Sequence, residues 1–341
     1  MKLRRTFLGA AGAAVLLLTA ACGEAGSSGG ASSAPETTEA TDGGQELAAC
    51  APVADEALVV LEDDLGLQTI DNIVPAVNAE AATASPGLIE VLDAVSATLD
   101  TPTLIELNRA VDVERRTSSE VAVEFVAEQG LDQQEDVGGG ASVLVGAANF
   151  SESATLAEIY AAALDAAGFD ASTQTIGNRE TYEPALELGD LTVVPEYVGT
   201  LTEFLNKKVN GADAASVASS DLDATMAALA PLGEQLGLVF GQPAAAQDQN
   251  AFAVTVAFAE ENRVATLSEL AETCGDIALG GPPECPERPF CQPGLEEVYG
   301  LQVGEFTSLD AGGPLTKAAL QQGQIALGLV FSSDAALSSA G

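Results

Sequence analysis

The residues of this 341-residue chain with chemistry to offer are five cysteines, four tyrosines and a large excess of carboxylates. Histidine and tryptophan do not occur. Without histidine there is no Ser-His-Asp triad, no Cys-His pair and no histidine-ligated zinc or haem. The 12 basic residues face 51 acidic ones, for a formal charge of −39. That balance repels polyanions and excludes nucleic-acid binding. Facing carboxylates in a cleft would serve hydrolysis, the one catalytic chemistry this composition leaves open easily. Glu62-Asp63-Asp64 is an acidic run without the loop spacing of calcium motifs, so it reads as a solvated strand end. No metal and no cofactor is expected. Arg288 is the only basic residue between Arg263 and Lys317.

Four cysteines follow Cys22: Cys50, Cys274, Cys285 and Cys291. An even number outside the cytoplasm reads as disulfides, and three pairings are possible. Cys285 and Cys291 bracket Pro286-Glu-Arg-Pro-Phe290 and would close that loop. Cys50 with Cys274 then follows by elimination.

The elements that must position these groups are legible from periodicity. Leu58-Val-Val-Leu61 reads as a buried strand. A helix from Ser85 puts Leu88, Val91, Leu92, Val95 and Leu99 on one face, with Ser85 as its cap. A second helix spans Thr101 to about Ala110. A third begins at Thr117, where Glu120 completes a capping box, and stops at Gly130. Residues 132–142 are polar and glycine-rich and read as a linker. Strands at 143–146, 171–176 and 191–194 then alternate with helices at about 156–164 and 181–188. This is a parallel α/β pattern, and in such sheets ligands bind beyond the strands' carboxyl ends. Asn149-Phe150-Ser151 and Tyr197 fall there, the former at a helix start able to offer backbone N–H to an anion. The second half repeats the style with strands at 251–256, 276–279 and 325–331 and helices at 266–272 and 314–321. Two α/β lobes with a cleft between them is the expectation.

The first residues read as an address. Lys2, Arg4 and Arg5 precede an apolar run from Phe7 to Ala21, shorter than a transmembrane span of about 20 apolar residues. Arg4-Arg5 also has the look of a twin-arginine export signal. Leu18-Thr-Ala-Ala-Cys22 resembles a bacterial lipobox, which implies cleavage after residue 21 and a lipid on Cys22. Residues 22–49 supply the lipidated cysteine and a Gly/Ser-rich tether.

Several motifs in series resemble the solute-binding proteins of ABC importers for glycine betaine, choline and carnitine. They are Val143-Leu-Val-Gly-Ala-Ala-Asn-Phe-Ser-Glu152, Val194-Pro-Glu-Tyr-Val-Gly-Thr200, Asp248-Gln-Asn-Ala-Phe-Ala-Val254, Gly280-Gly-Pro-Pro-Glu284, Pro293-Gly-Leu-Glu-Glu-Val-Tyr-Gly300 and Phe331-Ser-Ser-Asp334. The resemblance implies a two-lobed periplasmic-binding-protein-like (type II) α/β fold. Its order is unusual. Residues 58–131 resemble the family's carboxyl-terminal quarter, and the stretch from 143 resembles its mature amino terminus. The chain therefore resembles a circular permutation, with the family's ends joined through 132–142. One lobe would be continuous over 72–250, and the other split over 50–71 plus 251–341, with Cys50 and Cys274 together in the split lobe.

By that resemblance Tyr197 matches a tyrosine of the ligand's aromatic cage and Thr200 a threonine on the ligand carboxylate. Arg288 matches the carboxylate arginine, and Phe331 takes a second cage position. Asp71 and Asn250 stand where further aromatic residues are usual, and Ala148 where some members carry a lysine. Half the cage is thus replaced, and Asp71 brings a negative charge suited to a hydrogen-bonding cation. The expected function is a lipid-anchored, monomeric, non-enzymatic binding protein at the membrane surface. It would close over a small polar or cationic solute and deliver it to a permease. Competing readings are a receptor or scavenger that does not transport, a binder of a different amine such as a basic amino acid or polyamine, and a secreted carboxylate-pair hydrolase.

Overall fold

The structure is a computed structural model that describes residues 47–337. The expected export signal, the lipidated Cys22 and nearly all of the tether lie outside these residues. Ten strands follow in chain order: β1 (Leu58–Leu61), β2 (Ile73–Asn78), β3 (Ser142–Ala147), β4 (Asp170–Thr175), β5 (Val193–Tyr197), β6 (Leu238–Phe240), β7 (Asn250–Thr255), β8 (Ile277–Gly281), β9 (Val303–Ser308) and β10 (Leu327–Phe331). They form two five-stranded sheets, β1-β7-β10-β8-β9 and β4-β3-β5-β2-β6. In the second sheet β3 runs parallel to β4 and β5, as the alternating pattern requires. However, β2 is antiparallel to both β5 and β6, so the sheet is mixed.

Each sheet is covered on both faces. Ile73 and Val77 enter one core cluster while Val74 and Ala76 enter another, the two-residue alternation of a central strand. In β10, Leu327 and Leu329 face one cluster and Val330 the other. The helix Gly87–Ser96 buries Leu88, Val91, Leu92 and Val95. Pro86 already has helical φ and ψ, as suits proline in a first turn, and the Ser85 carbonyl accepts from Leu88 N–H at 2.9 Å. The capping box of Thr117 and Glu120 is fully formed at the start of Ser118–Glu128. The helix from Thr101 ends at Asn108 and continues as a π-turn over Arg109–Val113.

Strand β5 ends at Tyr197, three residues later than its sequence pattern suggests. Pro195 does not end the strand; it faces Pro75 of β2 across the ladder. Such a pair is of the non-hydrogen-bonded kind, where neither residue needs a donor. Tyr197 is therefore the strand's last residue and not the residue beyond it. The stretch read as a linker is docked: the N–H groups of Val137 and Gly138 both donate to the Ala167 carbonyl, at 3.0 and 2.8 Å. A Cβ on Gly138 would lie 2.3 Å from the Phe169 nitrogen, so only glycine permits that approach.

The chain passes between the sheets twice, from Leu61 to Ile73 and from Phe240 to Asn250. The two passages run side by side. Asp248 N–H donates to the Asp71 carbonyl at 3.1 Å, and Ile73 N–H to that of Ala246 at 3.0 Å. Both expected disulfides, Cys50–Cys274 and Cys285–Cys291, are present. The first fixes the segment before β1, which also offers its Val53 carbonyl to the Thr255 hydroxyl at 2.7 Å.

Candidate functional site

The carboxyl ends of β3 and β5 open onto a cavity of about 500 Å³ between the two sheets. One wall comes from the first turn after β5, the turn after β3 and the start of the helix Arg179–Glu187. The other comes from the end of β10, the start of β7 and the disulfide-closed loop at 285–291. Tyr197, Thr200, Asp71, Asn149, Arg288, Phe331 and Asn250 all line it. The fold thus gathers all seven residues singled out in the sequence, from segments up to 260 positions apart.

Their side chains have partners that the sequence does not disclose. Asp71 is 4 % exposed. Its Oδ1 accepts from the N–H groups of Gly199 (2.8 Å) and Thr200 (3.0 Å). It thereby holds the first turn of the helix Val198–Asn210 from another chain segment, where a carboxylate meets the positive end of the helix dipole. Gly199 allows this, since a Cβ there would lie 2.2 Å from the Ile70 carbonyl oxygen. Burial pushes the Asp71 carboxyl up to about 7, against the Thr200 hydrogen bonds and the charge of Arg179, which pull it down.

Behind this turn lies a buried ion pair. Arg179 Nε and Nη2 donate to Glu196 Oε1 and Oε2 at 2.8 and 2.6 Å, and Nη2 also donates to the Thr200 hydroxyl at 2.9 Å. Tyr182 adds its hydroxyl to Glu196 at 2.7 Å. Such a two-pronged, fully bonded pair keeps buried charges satisfied. Thr200 is therefore tied on both its N–H and its hydroxyl.

Tyr197 donates its hydroxyl to Glu152 Oε1 at 2.6 Å. Glu152 also accepts from Asn108 and from the Ser333 hydroxyl, both at 2.6 Å. Ser333 N–H in turn donates to Asp248 at 3.0 Å. Burial raises the carboxyls of Glu152 and Asp248, and Glu152 raises Asp248 further. This network joins the turn after β10 to helices packed on the other sheet. Phe150 stands between Tyr197 and Phe331, with ring centroids 6.2 and 5.4 Å away and planes tilted by 31° in each case. The three rings cover one another and make one wall.

Arg288 gives its guanidinium to the protein itself. Nη2 lies 2.9 Å from Glu180 Oε2, and Glu284 stands 3.3 Å away. Asn250 donates to the Phe290 carbonyl at 3.0 Å. Asn149 is exposed, but its N–H donates to the Gly177 carbonyl at 2.9 Å. That one backbone donor is therefore taken by the protein itself. Asp63 turns back on its own loop, accepting from Leu67 and Gln68 N–H. Among the described residues no cluster of three or more carboxylate or cysteine groups is arranged to hold a metal. Lys207 lines the cavity and makes no ion pair among the described residues.

Sequence reasoning missed Arg179, Tyr182, Glu152 and Asp248. Glu152, Glu196 and Asp248 sit inside the motifs quoted above, so their place was marked though their role was not. Arg179 carries no local signal, because its partner is 17 residues away on another element.

The family model described as the substrate binding domain of ABC-type glycine betaine transport systems matches residues 51–128 and 141–341. Among solved structures, apo YehZ from Escherichia coli is 24% identical over 56% of this chain and 70% of its own, with a TM-score of 0.36. NikA from Brucella suis in complex with Fe(III)-EDTA is 15% identical over 56% of this chain and 49% of its own, with a TM-score of 0.27.

Proposed function

The chain belongs to the family of substrate-binding domains of ABC-type glycine betaine transport systems, and from that premise we propose that it captures a small cationic solute by closure of its two lobes. It is a substrate-binding protein of an importer, with a two-lobed α/β fold, working outside the cytoplasm. The solute in this reading is of the osmoprotectant class, such as betaine, choline, carnitine or a related amine, and a permease receives it. The observation that carries the reading is the cavity itself, about 500 Å³ and lined from both sheets. A solute there touches Tyr197 and Thr200 on one side and Phe331 on the other, so binding favours the closed population.

The site roles belong to the same proposal. Tyr197, Phe150 and Phe331 form an apolar, π-bearing wall, and Asp71 supplies charge. Lipid on Cys22 would hold the protein, as a monomer, at the membrane surface. Circular permutation is supported by two facts. The family match breaks at 129–140, across the docked junction. The segment before β1 lies against the carboxyl-terminal part of the chain, where Gln321 donates to the Glu56 carbonyl at 2.8 Å.

Calorimetric titration of the tethered chain with betaine, choline, carnitine, ectoine, lysine and putrescine tests the function. Small-angle scattering with each ligand tests closure. Binding of at least one, with a smaller radius of gyration, is expected. Turnover of a bound ligand would instead favour a hydrolase.

A further inference from the structure

The cavity gathers more buried carboxyl groups than its cations pair, and Lys207, which also lines it, lies within ion-pair distance of none of them. Asp71, Asp248 and Glu152 are each 4 % exposed. Asp71 and Asp248 line the cavity, and Glu152 lies behind Tyr197. The buried cation nearby, Arg179, is already matched by Glu196. Arg288 is held by Glu180 and Glu284, and Lys208 by Glu183 and Glu187. Buried carboxylates without a counter-ion are costly. A ligand cation is the missing partner.

The kind of cation follows from two further observations. Asp71 spends only Oδ1 on the helix turn; Oδ2 accepts no hydrogen bond among the described residues. It is a nearly buried acceptor on the cavity wall. An ammonium or guanidinium N–H would meet it with a charge-assisted bond, which a fully methylated nitrogen cannot form. Second, the aromatic residues do not make a box. A quaternary ammonium needs ring faces turned toward a common centre. Here the rings of Tyr197 and Phe331 both pack beside Phe150, tilted by 31° in each case, so the three make one wall and not a box around a centre.

We propose that the site selects a cation bearing N–H donors, a primary or secondary ammonium or a guanidinium, whose N–H groups bond to Asp71 Oδ2 with Asp248 supplying further negative charge. This rests on the reading of the chain as a cation-binding protein and reverses its preference within that class. Arg288, engaged by Glu180, leaves a ligand carboxylate unnecessary.

The test is calorimetric titration of the tethered chain with ethanolamine, N-methylethanolamine, N,N-dimethylethanolamine and choline, which differ only in methylation. Affinity should fall along the series, with choline at least tenfold weaker than ethanolamine. Asp71→Asn keeps the acceptor for the helix turn but places an amide on the cavity side. It should weaken ethanolamine at least tenfold and abolish the methylation preference. Asp248→Asn, which keeps the acceptor for Ser333, should weaken all four members. That variant stands in if Asp71→Asn does not fold. Choline binding as tightly as ethanolamine, or more tightly, would overturn the selectivity while leaving the proposed function intact. No binding by any of the four would overturn the selectivity, and no binding by the wider ligand set either would overturn the proposed function.

Discussion

Arg288 and Glu180 face each other across the mouth of the cavity, Nη2 to Oε2 at 2.9 Å, one on the disulfide-closed loop and one on the helix that carries Arg179. They bind the two halves of the molecule together without a ligand. Both side chains are part-exposed, at 31 and 41 %, so the pair contributes at most about 1 kcal/mol. That is enough to shift an open–closed balance several-fold.

Glu180→Gln and Arg288→Ala should therefore act alike, enlarging the radius of gyration of the unliganded protein and weakening every ligand by a similar factor of about 2–5. Scattering and calorimetry on both variants check this. If Arg288→Ala alone lost carboxylate-bearing ligands, Arg288 would be a ligand contact and not a latch.

Asp71 titrates near pH 7 in the folded chain, above its ordinary value of 3.8. The folded state then holds more protons than the unfolded state between about pH 4 and pH 7, so stability falls as pH rises through that window. The charged groups coupled to it are Arg179 and Asp248. The unliganded protein should melt higher at pH 5 than at pH 8. A cationic ligand, which replaces the proton, should bind more tightly at pH 8. Asp71→Asn should flatten both trends; thermal melts across pH in wild type and variant decide it.

Tyr197→Phe keeps the ring beside Phe150 and removes one of the donors to Glu152. A buried carboxylate left short of a donor costs about 1–3 kcal/mol. Chemical denaturation should show that loss with ligand affinity changed little. A large loss of affinity with stability unchanged would place the hydroxyl on the ligand.

The Cys50–Cys274 bridge closes a loop of 224 residues. Replacing both cysteines by alanine should lower stability by about 3–5 kcal/mol while leaving ligand affinity intact, because neither residue lines the cavity. A melt and a titration on the double variant suffice.

What is local or patterned could be read from the residues alone. The helix Gly87–Ser96 follows from apolar spacing, and the start of Ser118–Glu128 follows from Thr117 and Glu120, three residues apart. The alternation of strands and helices from 143 to 194 implied that Asn149 and Tyr197 would sit at strand ends over a cleft. Resemblance of motifs, not periodicity, brought in Thr200, Arg288, Phe331, Asp71 and Asn250, and all of them line one cavity. What each does there was decided by the tertiary structure. Asp71 meets Gly199 across 128 positions, Arg288 meets Glu180 across 108, and Ser333 meets Glu152 across 181. A side chain's charge and shape are written in its residue type, but its hydrogen-bond partner is set by which segments the sheets bring side by side. Whether a carboxylate caps a helix, pairs with an arginine or waits for a cation is therefore a property of the folded neighbourhood, and no spacing in the chain encodes it.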